Sequence, residues 1–363
     1  MAGLYIHIPF CRKRCLYCDF FSTTQLHRRT AYVDALLQEI NRRKNETGEP
    51  IRTVYIGGGT PSQLDTIDIF RILRTVGLEY AEEVTMEVNP ADVTPKYLQE
   101  VRQCGVNRLS IGVQSFKDTL LQTIGRRHNG IQALNAVHIA QDAGFDNISI
   151  DLMYALPGQT KILWASDVEL ALRLGVQHIS SYGLMYEEGT QLTQMRDKGS
   201  ITPVDEDTEN EMYDTLCKRL KESGFVHYEV SNFALPGYEA KHNSSYWNHT
   251  PYIGIGAGAH SLVGNVRSWN PDNLEKYIRG VYKHTLRRKS ETLSETDLYN
   301  ERIMLGLRTN RGVAESEITH GHAELAQLEQ DQLITRTDGR VTATQQGLHV
   351  LNRIIEKLMK DDE

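Results

Sequence analysis

Six short β-rich runs alternate with helical stretches through the first half of the chain, and few folds accommodate that order. The runs fall at residues 4–8, 53–56, 84–88, 108–113, 147–152 and 178–183. Between them, apolar residues recur at helical spacing. Residues 31–43 carry Val33, Leu36, Leu37 and Ile40 on one face, and 67–76 carry Ile69, Phe70, Ile72 and Leu73. Stretches 96–104 (with Leu98 and Val101), 132–143 and 163–174 complete the set. Thr94-Pro95 and Gly144 supply a helix start and a helix stop. Strands alternating with helices form parallel βαβ units, so the fold class is α/β: a doubly wound sheet or a (β/α) barrel.

The pattern changes after about residue 185. Residues 206–223 read as one amphipathic helix closed by Gly224, and 232–270 are rich in Asn, Gly, Tyr, Trp and Pro with little periodicity. The polar stretch 286–295 reads as a linker. Beyond Asp297 the order is helix, helix, a strand pair around 335–341 turning at Asp338-Gly339, and a final helix over 344–360. This predicts two domains: 1–290, and a smaller helical, winged-helix-like unit at 291–363.

At 363 residues the chain can bury a large core without a disulfide or metal staple. No apolar run approaches the ~18 residues of a membrane span, and the first residues read as a strand, not a signal peptide. A net charge of −7 opposes a broad nucleic-acid footprint, so no nucleic-acid partner is expected. There are five cysteines, three of them within eight residues. The expected compartment is the reducing cytoplasm, where clustered thiols bind metal or do redox chemistry.

Those three follow directly on the first strand, as Cys11-Arg12-Lys13-Arg14-Cys15-Leu16-Tyr17-Cys18. Structural zinc takes four ligands in two pairs, and no second pair exists here. Three thiolates suit a [4Fe–4S] cluster with one iron lacking a protein ligand. Cys104 and Cys217 sit in helices without ligand-type neighbours and read as buried small hydrophobes.

Other strand ends carry chemistry. Gly57-Gly58-Gly59-Thr60-Pro61 is a place where backbone approaches something closely, or a plain tight turn. Glu87 and Asp151 end apolar strands, where an unpaired charge is costly, so each meets a ligand or a local salt bridge.

C-x₃-C-x-aromatic-C after the first strand resembles the signature of radical S-adenosylmethionine (SAM) enzymes. Nearly the whole chain is similar to one branch, the oxygen-independent coproporphyrinogen III oxidase-like family. Its motifs read here as Tyr5-Ile6-His7-Ile8-Pro9-Phe10-Cys11, Gly57-Gly58-Gly59-Thr60-Pro61, Glu87-Val88-Asn89-Pro90, Gly112-Val113-Gln114-Ser115-Phe116 and Asp151-Leu152-Met153. The resemblance implies a partial (β/α)₆ radical SAM barrel with its site at the C-terminal strand ends. It implies a [4Fe–4S] cluster on Cys11, Cys15 and Cys18. Further, it implies SAM held by Gly58, Gly59 and Thr60 at its amino group, by Glu87, Gln114 and Asp151 at its ribose, and by Arg126 at its carboxylate. Arg127 is the adjacent alternative. Tyr5 matches a tyrosine near cluster and SAM, or is a core aromatic; Gly254-Ile255-Gly256-Ala257-Gly258-Ala259-His260 resembles a late glycine segment lining the pocket.

Two departures select a sub-branch. The oxidases read C-x₃-C-x₂-C-x-C, whereas Phe20 stands here at the fourth position, and the oxidases carry a long N-terminal extension before the first strand. In both respects the chain resembles the HemW group of haem chaperones, as does His242-Asn243-Ser244-Ser245-Tyr246-Trp247, matching HNxxYW. That resemblance implies haem as bound cargo, with His242 as ligand and His249 or His260 as alternatives. Imidazole suits haem iron and flanking aromatics can cover a porphyrin. It also implies acceptor haemoproteins, respiratory ones included, reached through peripheral membrane contact, and leaves room for a homodimer. The rival reading is an oxygen-independent coproporphyrinogen III oxidase, acting by oxidative decarboxylation.

Overall fold

The computed structural model describes residues 2–361; Met1, Asp362 and Glu363, at the outer limits of the two predicted domains, lie outside the described residues. Six parallel strands form the centre, in the order β1 (Ala2–Ile8), β2 (Ile51–Gly58), β3 (Glu83–Val88), β4 (Arg108–Gln114), β5 (Ile148–Tyr154) and β6 (His178–Gly183). Between them run α1 (Arg29–Arg43), α2 (Thr66–Val76), α3 (Pro95–Gln103), α4 (Asp118–Thr123), α5 (Gly130–Asp142) and α6 (Lys161–Arg173). The Thr94 hydroxyl caps α3 by accepting from the Tyr97 amide at 3.2 Å, and Gly144, with φ 87°, follows α5.

Successive strand side chains point to opposite faces. One face is aliphatic and packs on the helices: Leu4, Ile6, Ile8, Val54, Ile56, Val84, Met86, Leu109, Ile111, Ile148, Ile150 and Ile179 all belong to one buried cluster. The other face is polar. Pairing aligns Tyr5 with Tyr55, Tyr55 with Thr85 and Thr85 with Arg108. Nearer the C-terminal strand ends it aligns Glu87 with Ser110, and Asp151 with Gly112 and Ser180. The concave interior is therefore lined with groups that need partners.

Six more strands widen the sheet. Beyond β6 lie β7 (Val226–Glu229) and β8 (Asn232–Ala234), in the order β6-β8-β7. On the other flank β9 (Tyr252–Ile255) runs parallel to β1, followed by antiparallel β10 (His260–Val263), β11 (Val266–Trp269) and β12 (Lys289–Thr292). The remaining helices of this part are α7 (Gln191–Asp197), α8 (Glu206–Glu222), α9 (Lys241–Tyr246) and α10 (Leu274–Tyr282). Two expectations are corrected. The stretch 286–295 is not a plain linker, because β12 pairs with β11, although all its side chains are exposed. The stretch 232–270 holds four strands and a helix, formed through backbone pairing that side-chain periodicity does not report.

The C-terminal part comprises α11 (Glu295–Leu307), β13 (Val313–Ala314), α12 (His322–Gln330), β14 (Ile334–Thr337), β15 (Arg340–Ala343), α13 (Gln345–His349) and α14 (Leu351–Leu358). Its own core includes Ile303, Leu307, Leu325, Leu328, Val341, Ile354 and Leu358. The hairpin turns at Asp338 (φ 52°) and Gly339 (φ 70°), where both residues need positive φ. Its sheet has three strands, not two, since β13 joins β15. The final helix is broken at Val350, which has φ −121°. Contacts from α11 and its end reach both flanks of the large sheet. Glu301 pairs with Arg267 of β11, while the Val230 amide donates to the Arg308 carbonyl at 2.9 Å and Asn310 N to Tyr228 O at 3.1 Å.

One buried carboxylate ties the added strands to the barrel. Glu39 of α1 is 2% exposed and accepts from Arg43 (2.7 Å), Gly256 N (2.9 Å), Asn270 Nδ2 (2.8 Å) and Tyr277 OH (2.6 Å). Removing it leaves Arg43 with Glu46 as its remaining carboxylate and takes an acceptor from Gly256 N, Asn270 and Tyr277, so Glu39→Ala should cost about 3–5 kcal/mol. Urea unfolding of the full chain measures this; a loss below about 1 kcal/mol would show that the network relaxes.

Candidate functional site

The three-cysteine loop is pinned before any ligand is considered. Cys11 N donates to Thr23 O (2.9 Å), Leu16 N to Ile124 O (3.0 Å), and Leu192 N to Leu16 O (2.9 Å). Arg12 Nε reaches Gln63 Oε1 at 2.9 Å, and Gln63 Nε2 reaches Asp92 Oδ2 at 2.6 Å. Cys11 is buried with its Sγ 3.4 Å from Thr60 Oγ1, while Cys15 and Cys18 are half-buried. Burial pushes the Cys11 thiol up and the Cys18 thiol up to about 11, and neighbouring cysteine thiolates add to both shifts. The thiols are close enough to repel one another once ionised. Yet among the described residues no three His, Cys, Asp or Glu side chains gather tightly enough to hold one metal ion. A zinc site would hold each thiolate roughly 2.3 Å from one ion. A four-iron cluster is wider and takes one thiolate per iron, and this donor set fits it.

The adjacent strand ends face the same space. At Gly59 a Cβ would stand 3.0 Å from Cys11 Sγ, and at Gly58 (φ 114°) it would stand 2.6 Å from the His7 ring. The glycine run is therefore a close approach, one of the two readings its composition left open, and not merely a turn. Gln114 sits at a register shift in β4 with φ 67°, an uncommon conformation for a residue with a side chain.

Tyr5 lies in the interior wall. Its hydroxyl donates to His7 Nδ1 at 3.0 Å, because His7 Nε2 donates to Phe21 O at 2.9 Å. Its ring stacks on Tyr55 at 6.1 Å, and Tyr55 donates to Glu87 Oε1 at 2.9 Å. Gly58 N donates to the other Glu87 oxygen at 3.1 Å. Burial, then the nearby Asp151, raises the Glu87 carboxyl to about 7. Asp151 is also raised by burial, an effect opposed by Ser110, which donates to it at 3.0 Å, and by Arg108. Two carboxylates thus share a buried space with few donors, which a ligand bearing hydroxyls would supply.

Arg126 and Arg127 part company. Arg127 pairs with Asp92 at 2.7 Å, on the network that braces the loop. Arg126 turns toward the cysteines, its Nη1 3.5 Å from both Cys15 Sγ and the Tyr17 hydroxyl. Its Nη2 donates to the Gly112 carbonyl, and its buried Nε has no partner. A guanidinium buried this way fits an incoming carboxylate. The site also contains Tyr17, Tyr55, Gln63 and Asp92, which sequence reasoning did not single out. Tyr17 was visible as the aromatic between Cys15 and Cys18; the other three had no motif to mark them.

The histidine segment lies at the opposite end of the barrel. The amides of Lys241 and His242 donate to Glu83, the first residue of β3, each at 2.9 Å. His242 is 1% exposed, with Nδ1 2.8 Å from Thr53 Oγ1 and Nε2 2.9 Å from the Tyr246 hydroxyl. Its ring stacks on Tyr55 at 5.4 Å, and burial, with Arg108 nearby, lowers its pKa to about 3. Both ring nitrogens are engaged, so the ring expected to ligate haem is here a neutral packed anchor. His260 stacks on Trp269 at 5.5 Å. His249 stands beside a large cavity. The late glycine segment packs behind His7, where a Cβ on Gly256 would meet His7 O at 2.7 Å.

Known proteins match this arrangement at several levels. The model of the radical SAM superfamily matches residues 5–171, and that of the HemN C-terminal domain matches 293–350. Over 99% of its length the chain is 36% identical to heme chaperone HemW of Lactococcus lactis subsp. lactis (strain IL1403), covering 97% of that protein. It is 34% identical to heme chaperone HemW of Bacillus subtilis (strain 168), with 98% of each chain covered. The chain belongs to the HemW family, within the radical SAM superfamily. Coproporphyrinogen III oxidase (HemN) from Escherichia coli shares the fold, at TM-score 0.84 and 24% identity over 99% of this chain and 90% of that one. This HemW-family chain is thus matched over 98% or more of its own length. Among the described residues no helix is long and apolar enough to cross a membrane.

The carboxylate pair predicts a pH dependence. A carboxyl raised in the folded state contributes stability that is fully present below its unfolded pKa, about 4.5, and lost as pH rises through the folded value, about 7. The ligand-free protein should therefore lose urea resistance between those limits, and Glu87→Gln should flatten the loss. Equal slopes in the two proteins would assign the dependence to other groups.

Proposed function

We propose that this chain is a cytoplasmic haem chaperone, binding haem and passing it to acceptor haemoproteins, while carrying a [4Fe–4S] cluster and SAM at the barrel mouth. The observation that carries the reading is the match over the whole chain to proteins named heme chaperone HemW. Five free cysteines agree with a reducing compartment.

Cys11, Cys15 and Cys18 hold the cluster, and Arg126 offers its guanidinium to the SAM carboxylate. Thr60 and the backbone of Gly58 and Gly59 face the amino group, while Glu87, Asp151 and Gln114 face the ribose hydroxyls. A reduced cluster supplies the electron that SAM chemistry requires. The protein's part is to exclude water, to hold Glu87 between Tyr55 and Gly58, and to keep the loop fixed through the Asp92 network.

The shared fold favours a second reading, an oxygen-independent coproporphyrinogen III oxidase. Against it, Phe20 stands 65% exposed where the oxidase pattern has a fourth cysteine. Anaerobic reconstitution should load about four irons per chain, lost in Cys15→Ala but not in Cys217→Ala. Arg126→Ala should weaken SAM binding by about 1.5–3 kcal/mol with cluster content unchanged. The reconstituted protein should shift the Soret band of added hemin and form no protoporphyrinogen IX from coproporphyrinogen III. Decarboxylation turnover would establish the oxidase reading instead.

A further inference from the structure

A cavity of about 920 Å³ opens between the His242–Trp247 segment and the C-terminal part. Its size lies toward the upper end of ligand pockets, about 300–1,000 Å³. Its walls come from three places in the chain: Tyr228 at the sheet edge, Trp247 and His249 after α9, and Leu298, Arg311 and Arg340 of the C-terminal part.

Three features point to one class of ligand. His249 is held at φ 57°, with Nε2 buried 3.7 Å from the Glu301 carboxylate, beyond hydrogen-bond reach. Its Nδ1 has no hydrogen-bond partner among the described residues. Glu301 thus faces Nε2 without bonding it, on the side where a metal-binding imidazole commonly has its carboxylate, and Nδ1 is left for the metal. Next, the cavity carries cations that no carboxylate neutralises. Arg340 donates to the Arg311 and Gly312 carbonyls, and Arg311 has no ion pair among the described residues. Trp247, Tyr228, Leu298 and Val313 add aromatic and apolar wall, and the indole Nε1 of Trp247 is buried without a partner. Lys241 pairs with Glu82, and Arg302 lies 3.6 Å from Glu317, so these two are already matched.

We propose that this cavity is the haem-carrying site, with His249 as axial ligand and Arg311 and Arg340 as partners of the propionates. The proposal rests on the reading of the chain as a haem carrier and locates that role away from His242. His242 is then a positioning residue, anchoring the segment that presents Trp247 and His249.

Hemin, metal-free protoporphyrin IX and hemin dimethyl ester are titrated into the full chain and its variants. His249→Asn is the first variant, because Asn tolerates positive φ where Ala does not. It should alter the hemin Soret band while leaving protoporphyrin IX affinity unchanged, since only the iron is affected. Arg311→Gln with Arg340→Gln should weaken hemin and protoporphyrin IX about tenfold or more and leave the ester unaffected. Thermal unfolding confirms that each variant is folded. If the wild type binds hemin but neither variant changes spectrum or affinity, this site is overturned and the carrier reading stands. If the wild type binds no hemin, both fall.

Discussion

The barrel depends on one constraint: its six strands are aliphatic on the face that meets the helices and polar on the face that meets each other across the interior. Fully buried parallel strands are usually apolar on both sides. Here Thr53, Tyr55, Glu83, Thr85, Glu87, Arg108, Ser110, Ser149, Asp151 and His178 alternate with the aliphatic set. Burying such groups is costly unless each finds a hydrogen bond. The fold meets this demand differently at its two ends. Near the N-terminal strand ends the protein supplies most of the partners itself: Thr53 to His242, Glu83 to the amides of α9, Ser149 to His178 and His178 to Tyr228, with the Arg108 Nε left over. Near the C-terminal ends it leaves more undone: burial raises the Glu87 and Asp151 carboxyls despite their hydrogen bonds, and the buried Arg126 Nε has no partner. The end with the raised carboxyls is the one with the cysteine loop.

How much of this was legible follows from the same alternation. The aliphatic half of each strand and the matching helix faces are written locally, so 178–183 was located to the residue and α1 to within two at its start. The cysteine loop was legible because thiol spacing within eight residues is itself a local pattern. Lys289–Thr292 was not, because an edge strand whose four side chains all face solvent leaves no apolar signature; only pairing with β11 defines it.

The choice between Arg126 and Arg127 shows the limit at the site. Neighbours in sequence, they are chemically equivalent until Asp92, thirty-five residues earlier, takes one of them. Similarly, His242 sits in a conspicuous motif, but its fate is decided by Thr53 and Tyr55 on a strand far away in sequence. A motif identifies which residues matter. It does not say whether a residue matters by touching a ligand or by holding the one that does.

The two ends are also far enough apart to act separately. A strand of seven residues spans roughly 20 Å, and β1 is such a strand, with the cysteine loop after one end and Gly3 packed near His242 at the other. Between them runs a continuous contact: Glu87 to the Tyr55 hydroxyl, the Tyr55 ring on His242, and His242 to Tyr246. Under the proposed function, a tetrapyrrole held beyond His242 would lie out of reach of chemistry begun at a cluster on the loop, which a carrier can allow and an oxidase cannot. What the mouth can still change is the hydrogen bond on Tyr55, because a ligand that replaces Asp151 as the neighbour of Glu87 alters the charge that Tyr55 meets. In this chain the cysteine-loop end and the His242 end are thus joined by a short buried polar chain, rather than by a shared pocket.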